Sequence, residues 1–125
     1  VFEVEVTVEV TEQGSWTVVM PIGDLDLSSA PALRRHLIAA VADTAGRVVV
    51  DLAGVHLVDS QGLGTLVGGL KRARSHGGDL RLACPPPDVV ALLELTGLDH
   101  AFVVTAEVAE AVRAPLVSAG RRHHD

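Results

Sequence analysis

The stretch 48–64, VVVDLAGVHLVDSQGLG, changes its apolar period halfway along, and that change decides the fold. Val48, Val49 and Val50 form a β-branched run ending at Asp51 and Leu52, the pattern of a short strand buried on both faces. From Leu63 the apolar residues recur as Leu66, Val67 and Leu70, three and four apart, which is the period of an amphipathic helix. Lys71, Arg72, Arg74 and His76 gather at its C-terminal end, where cations complement the helix dipole, and Gly77-Gly78 stops it. The intervening segment 55–64 reads as the loop at the carboxyl end of that strand, where open α/β sheets usually carry their function.

Upstream, residues 1–10 alternate valine or phenylalanine with glutamate or threonine, the period of a strand with one wet face. A turn at Gln13-Gly14 leads into a second β-branched strand over 16–22, close enough to pair antiparallel with the first. The loop Gly23-Asp24-Leu25-Asp26 follows. Ser28 or Ser29 can cap a first helix, which carries Pro31 in its first turn and Leu33, Leu37, Ile38 and Val41 on its apolar face, and ends near Gly46. Downstream, Leu80 to Cys84 reads as a strand. After Pro85-Pro86-Pro87 comes a helix with Val89, Leu92, Leu93 and Thr96 inward and Gly97 as its C-cap. A fifth strand over 101–104 and a last helix capped by Thr105, with Val108, Ala111 and Val112 inward and Pro115 as its limit, complete the order β-β-α-β-α-β-α-β-α. The expectation is one α/β domain over residues 1–117, with a mixed, mostly parallel five-stranded sheet and four helices, followed by a flexible C-terminal tail over 118–125.

Composition agrees with one domain. The chain has 125 residues, 48% of them hydrophobic, enough to bury a core without a disulfide or metal staple. Cys84 is the only cysteine and cannot form an intrachain bridge, which points to a reducing compartment. The glutamates among residues 1–10 do not fit a signal peptide, and no apolar run is long enough to span a membrane. A net charge of −6 argues against a nucleic-acid partner. The class expected is soluble, acidic and cytoplasmic, with neither a membrane nor a nucleic acid as partner. The exposed first strand leaves room for a weak homodimer.

Within the segment 55–64, Asp59 or Ser60 can accept hydrogen bonds from the unpaired amides of the helix that begins there. Gly62 and Gly64 bring no bulky side chain near the Ser60 hydroxyl, so a large partner could approach. A phosphate on Ser60 would add about −1.5 to −2 charges at a helix N-terminus that tolerates them, beside Asp59 and near Asp24 and Asp26. The fold could survive such a change while a partner surface is spoiled.

Three motifs carry a resemblance over about residues 16–112. Gly23-Asp24-Leu25-Asp26 is similar to the Gly-Glu-Leu-Asp turn of STAS domains, with Asp24 in place of glutamate. Asp51-Leu52 with Val58-Asp59-Ser60 and Gly62-Leu63-Gly64 resembles the segment leading into their second helix, and Gly77-Gly78 and Leu95-Thr96-Gly97-Leu98 recur where that family has them. Within it, the chain resembles the anti-sigma factor antagonists of bacterial partner-switching systems. The resemblance implies that Ser60 is a phosphoacceptor and that the partner is an anti-sigma factor that is itself an ATP-dependent serine kinase. The unphosphorylated antagonist binds it, freeing a sigma factor for transcription, and a phosphatase acting on phospho-Ser60 resets the switch. Asp24, Asp26, Asp59, Ser60, Gln61, Gly62, Leu63 and Gly64 are the implied partner surface. Gln61 stands where the family usually has serine or threonine, so a STAS scaffold not controlled by phosphorylation is the alternative.

Other chemistries fit less well. A serine nucleophile elbow needs glycine two residues before and after the serine, and Ser60 has Val58 and Gly62 there. Gly62, Gly64, Gly68 and Gly69 match neither dinucleotide nor P-loop spacing. His36, His56 and His100 lack metal-ligand spacing, Cys84 has no basic sequence neighbour to activate it, and Trp16 reads as core. The chain is therefore expected to be no enzyme and to need no cofactor or metal.

Overall fold

Val48, Val49 and Val50 are all fully buried, and they point alternately into two different cores. Burial of each is worth roughly 1.5–3 kcal/mol, so this strand alone fastens two layers of helices to the sheet. The computed structural model describes residues 6–116. Its strands are β1 (Thr7–Gln13), β2 (Trp16–Leu25), β3 (Arg47–Asp51), β4 (Val55–Val58), β5 (Asp79–Ala83) and β6 (Val104–Thr105). The helices are α1 (Ala30–Thr44), α2 (Ser60–Ser75), α3 (Pro87–Thr96) and α4 (Val108–Arg113), with a 3-10 turn at Leu98–His100. The sheet runs β1-β2-β3-β5-β6, parallel except for the antiparallel β1-β2 hairpin, and β4 pairs with β2 off that path.

The expected α/β class, the four helices and the mostly parallel sheet are all present. The sheet has a sixth strand, because Val55–Val58 is not loop. It lies parallel to the end of β2, pairing Gly23 with Val55, Asp24 with Leu57 and Leu25 with Val58 across an irregularity at Gly23/Asp24. For the same reason Gly23-Asp24-Leu25 belongs to β2 and only Asp26 turns away. Besides β1, β2 therefore serves two parallel partners: Thr17 to Val19 pair with β3, and its last residues pair with β4.

Alternation sorts the layers. Val48 and Val50 of β3 and Leu80 and Leu82 of β5 face α1, α2 and α3, with Leu33, Leu37, Leu66, Leu70 and Leu93 filling that side. Val49 and Ala83 face the opposite way, toward Trp16, Val18 and Ala111 under α4. Several boundaries differ from expectation. Thr96 is exposed and returns its hydroxyl to the Leu92 carbonyl at 2.8 Å, and Ile38 sits at the margin of α1. The fifth expected strand shrinks to Val104–Thr105, because the Ala101 and Phe102 amides turn back to the Leu98 carbonyl at the end of the 3-10 turn. Thr105 does not cap α4: its hydroxyl donates to the Glu107 carbonyl at 2.7 Å, and Glu107 is the capping residue. The part of the first strand expected over residues 1–5 and the tail 118–125 lie outside the described residues.

Candidate functional site

Residues 24–26 and 57–60 are far apart in sequence and adjacent in space, because the β2–β4 pairing brings the two strand ends together. The Asp59 amide donates to the Leu25 carbonyl at 3.0 Å, so the residue before Ser60 is pinned to the end of β2. Asp59, in extended conformation, is the cap of α2: its Oδ1 accepts the Gln61 and Gly62 amides at 2.8 and 3.0 Å. Of the two capping residues open in the sequence, Asp59 therefore takes the task. Ser60, the first residue of α2, is exposed and its hydroxyl makes no hydrogen bond among the described residues.

The other expected residues divide. Asp24 is exposed, and its backbone carbonyl accepts the Ser29 hydroxyl at 2.7 Å while its carboxylate makes no hydrogen bond among the described residues. Asp26 is turned to its own loop: Oδ1 accepts the Ser28 hydroxyl at 2.7 Å and the Ser28 and Ser29 amides at 3.0 and 3.2 Å. The Ser28 hydroxyl above all, then the Ser29 amide, holds its carboxyl below the ordinary carboxylate range. Asp26 thus organises the entry to α1, while Ser29 stands at the capping position without a side-chain cap bond. Gln61 and Gly64 are exposed, and Leu63 is half-buried. Gly62 is not an open approach to Ser60. It is buried, and an added Cβ would lie 2.3 Å from the Leu25 carbonyl oxygen, so its lack of a side chain lets α2 seat on β2.

Two hollows are lined by these residues. A cleft of about 310 Å³ between α1 and α2 is lined by Ser60 and Gln61 at one end, Gly64 and Gly68 along it, and Arg34 and Arg72. A second, of about 240 Å³, is bordered by Asp24, Asp26, Ile22 and His56. Leu57, half exposed, and Leu27 add apolar surface at the same end of the sheet. Arg74, read with the helix-end cations, is structural: it donates to Asp79 at 3.2 Å and to the Ala101 carbonyl at 2.7 Å.

Among the described residues no histidine contacts the Ser60 hydroxyl, and no group of three potential ligands could hold a metal. No described helix is long and apolar enough to cross a membrane. Cys84 is half-buried, and desolvation followed by the nearby Asp51 pushes its thiol up, away from the reactive thiolate. Sequence reasoning missed Arg81. It is fully buried in β5, donates to Asp79 at 3.1 Å and to the Ala111 and Pro115 carbonyls at 2.7 and 2.8 Å, and also bonds the Ala114 carbonyl. Its guanidinium lies 4.6 Å from the centre of the Trp16 ring, which is core as expected. An arginine between two leucines in an otherwise apolar strand was the available signal.

A family model described as STAS domain matches residues 7–111. The anti-sigma-B factor antagonist of Bacillus subtilis (strain 168) is 30% identical over 102 residues, covering 82% of this chain and 93% of the relative. An anti-sigma factor antagonist from Mycobacterium paratuberculosis superposes with a TM-score of 0.77 at 29% identity, covering 86% of this chain and 91% of that one. The anti-sigma factor antagonist SpoIIAA in its unphosphorylated form shares the fold, with a TM-score of 0.72 at 19% identity over 85% of this chain and 93% of that one.

Proposed function

The chain belongs to the STAS domain family, among the anti-sigma factor antagonists, and on that premise we propose that it is a phosphorylation-controlled binding switch. Unphosphorylated, the domain, taken as residues 1–117, binds an anti-sigma factor that is also a serine kinase, and so frees a sigma factor. Transfer of the γ-phosphoryl group from ATP to Ser60 Oγ, with ADP leaving and the hydroxyl proton lost, ends that binding. Hydrolysis by a phosphatase restores it.

The observation that carries this reading is the division of labour at the start of α2. Asp59 caps the helix, and the neighbouring Ser60 hydroxyl stays exposed and without a hydrogen bond among the described residues. A phosphate there would not remove a cap, and the helix dipole tolerates its charge, so the fold persists while the surface gains negative charge. Asp24, Asp59, Gln61, Leu63 and Gly64 supply the surrounding partner surface. Gly62 contributes by seating the helix and Asp26 by shaping the adjoining turn.

The test is intact and peptide mass spectrometry after incubation with ATP and each anti-sigma kinase of the source genome, with Ser60→Ala in parallel. One phosphoryl group confined to Ser60 is expected, together with loss of binding in Ser60→Asp. A kinase that binds the domain and leaves it unmodified would instead establish a STAS scaffold insensitive to phosphorylation.

A further inference from the structure

The cleft between α1 and α2 has a charge opposite to that of the chain. Its lining contains two cations, Arg34 and Arg72, and no acidic residue, on a protein of net charge −6. Both arginines are exposed, and neither guanidinium has a partner among the described residues. The floor is equally distinctive. Gly64 and Gly68 stand one helical turn apart, and a Cβ added to either would meet nothing within 4 Å. Gly69, by contrast, faces the core against Leu37 and Leu80. The exposed glycines bare the α2 backbone along a trough that runs from Ser60 to Arg72, about 18 Å at the helical rise.

We infer that this trough receives an acidic segment of the anti-sigma factor, whose carboxylates pair with Arg34 and Arg72 while Gly64 and Gly68 admit it close to α2. The inference rests on the function proposed above and names the chemistry of its partner. A basic segment would bring like charge to both arginines, and an apolar one would bury them unpaired, which is costly. The same geometry explains how a phosphate acts. Ser60 lines one end of the cleft, so a phosphate of about −1.5 to −2 charges there repels an acidic occupant.

The test titrates the anti-sigma factor that binds the wild-type protein against Arg34→Glu/Arg72→Glu, Arg34→Gln/Arg72→Gln and Gly68→Leu, at low and high salt. Because Arg34, Arg72 and Gly68 are exposed and a Cβ at Gly68 would meet nothing within 4 Å, the variants are expected to retain the wild-type circular dichroism spectrum. Charge reversal should weaken binding by about 100-fold and neutralisation by about 10-fold, and the salt dependence of the wild type should flatten in both. Gly68→Leu, which fills the trough without changing charge, should cost about 10-fold as well. Affinities of the charge variants within about twofold of wild type would overturn the inference and leave the proposed function standing. Failure of every anti-sigma factor to bind the wild type would overturn both.

Discussion

Ser60 and Arg81 each stand beside an aspartate, and the two places use their polar groups in opposite ways. At Arg81 the guanidinium is buried and saturated: Asp79, three carbonyls at the end of α4 and the Trp16 ring take its donors and its face. At the start of α2 the aspartate alone meets the needs of the helix, and the serine beside it is left with a spare hydroxyl. Saturation marks structure, since a buried charge that loses a partner is heavily penalised. Spare hydrogen-bonding capacity at an exposed helix end is where a chemical change can act without unfolding the protein.

The largest expected effect therefore lies far from the proposed switch. Arg81→Met removes the clamp on α4 and strips the buried Asp79 of one of its two cations, the other being Arg74. A loss of about 3–5 kcal/mol is expected, read as a fall in Tm of more than roughly 10 °C. Where the variant is still folded, its affinity for an anti-sigma factor should match wild type. A small change in Tm would mean that α4 is held by apolar packing alone, and the contrast between the two regions would lose its structural half.

An intermediate effect separates two glycines that the sequence presented as equivalent. At Gly62 a side chain must displace the Leu25 backbone, so Gly62→Ala should destabilise by about 1–3 kcal/mol. Gly64 has open space around it, and Gly64→Ala should raise stability by about 0.5–1 kcal/mol through helix propensity. Paired urea titrations check both signs. Equal effects would mean that α2 does not seat on Leu25 as described.

The same pair shows what was legible in the sequence. Period told helix from strand, and Val48–Val50, Leu63–Leu70 and Gly97 sit where their patterns placed them. The motifs around Asp24 and Asp59 pointed to two segments that the β2–β4 pairing brings together. What stayed hidden depends on distant partners. Val55-His56-Leu57-Val58 is too short to announce a strand, and it becomes one by pairing with Gly23–Leu25. Whether a glycine serves access or packing depends on the element opposite it, and only the fold puts Leu25 opposite Gly62. Arg81 was read past as one position of an apolar strand, because nothing local says that the end of α4 will cover it. Which of Asp59 and Ser60 caps α2 was likewise a matter of geometry.

That last distinction yields the smallest effects and the most direct test of the comparison. Asp59→Ala deletes the acceptor of two first-turn amides and should cost about 1 kcal/mol. Ser60→Ala deletes a hydroxyl with no hydrogen bond among the described residues, and its stability should stay within about 0.5 kcal/mol of wild type. Chemical denaturation of the two variants beside wild type resolves a difference of this size when slopes are shared. If Ser60→Ala were as costly as Asp59→Ala, the hydroxyl would be bound up in holding the helix, and a phosphate placed on it would loosen α2. The switch would then act by disturbing the fold. A silent Ser60→Ala beside a costly Asp59→Ala instead leaves the charge of the phosphate as the quantity a partner senses.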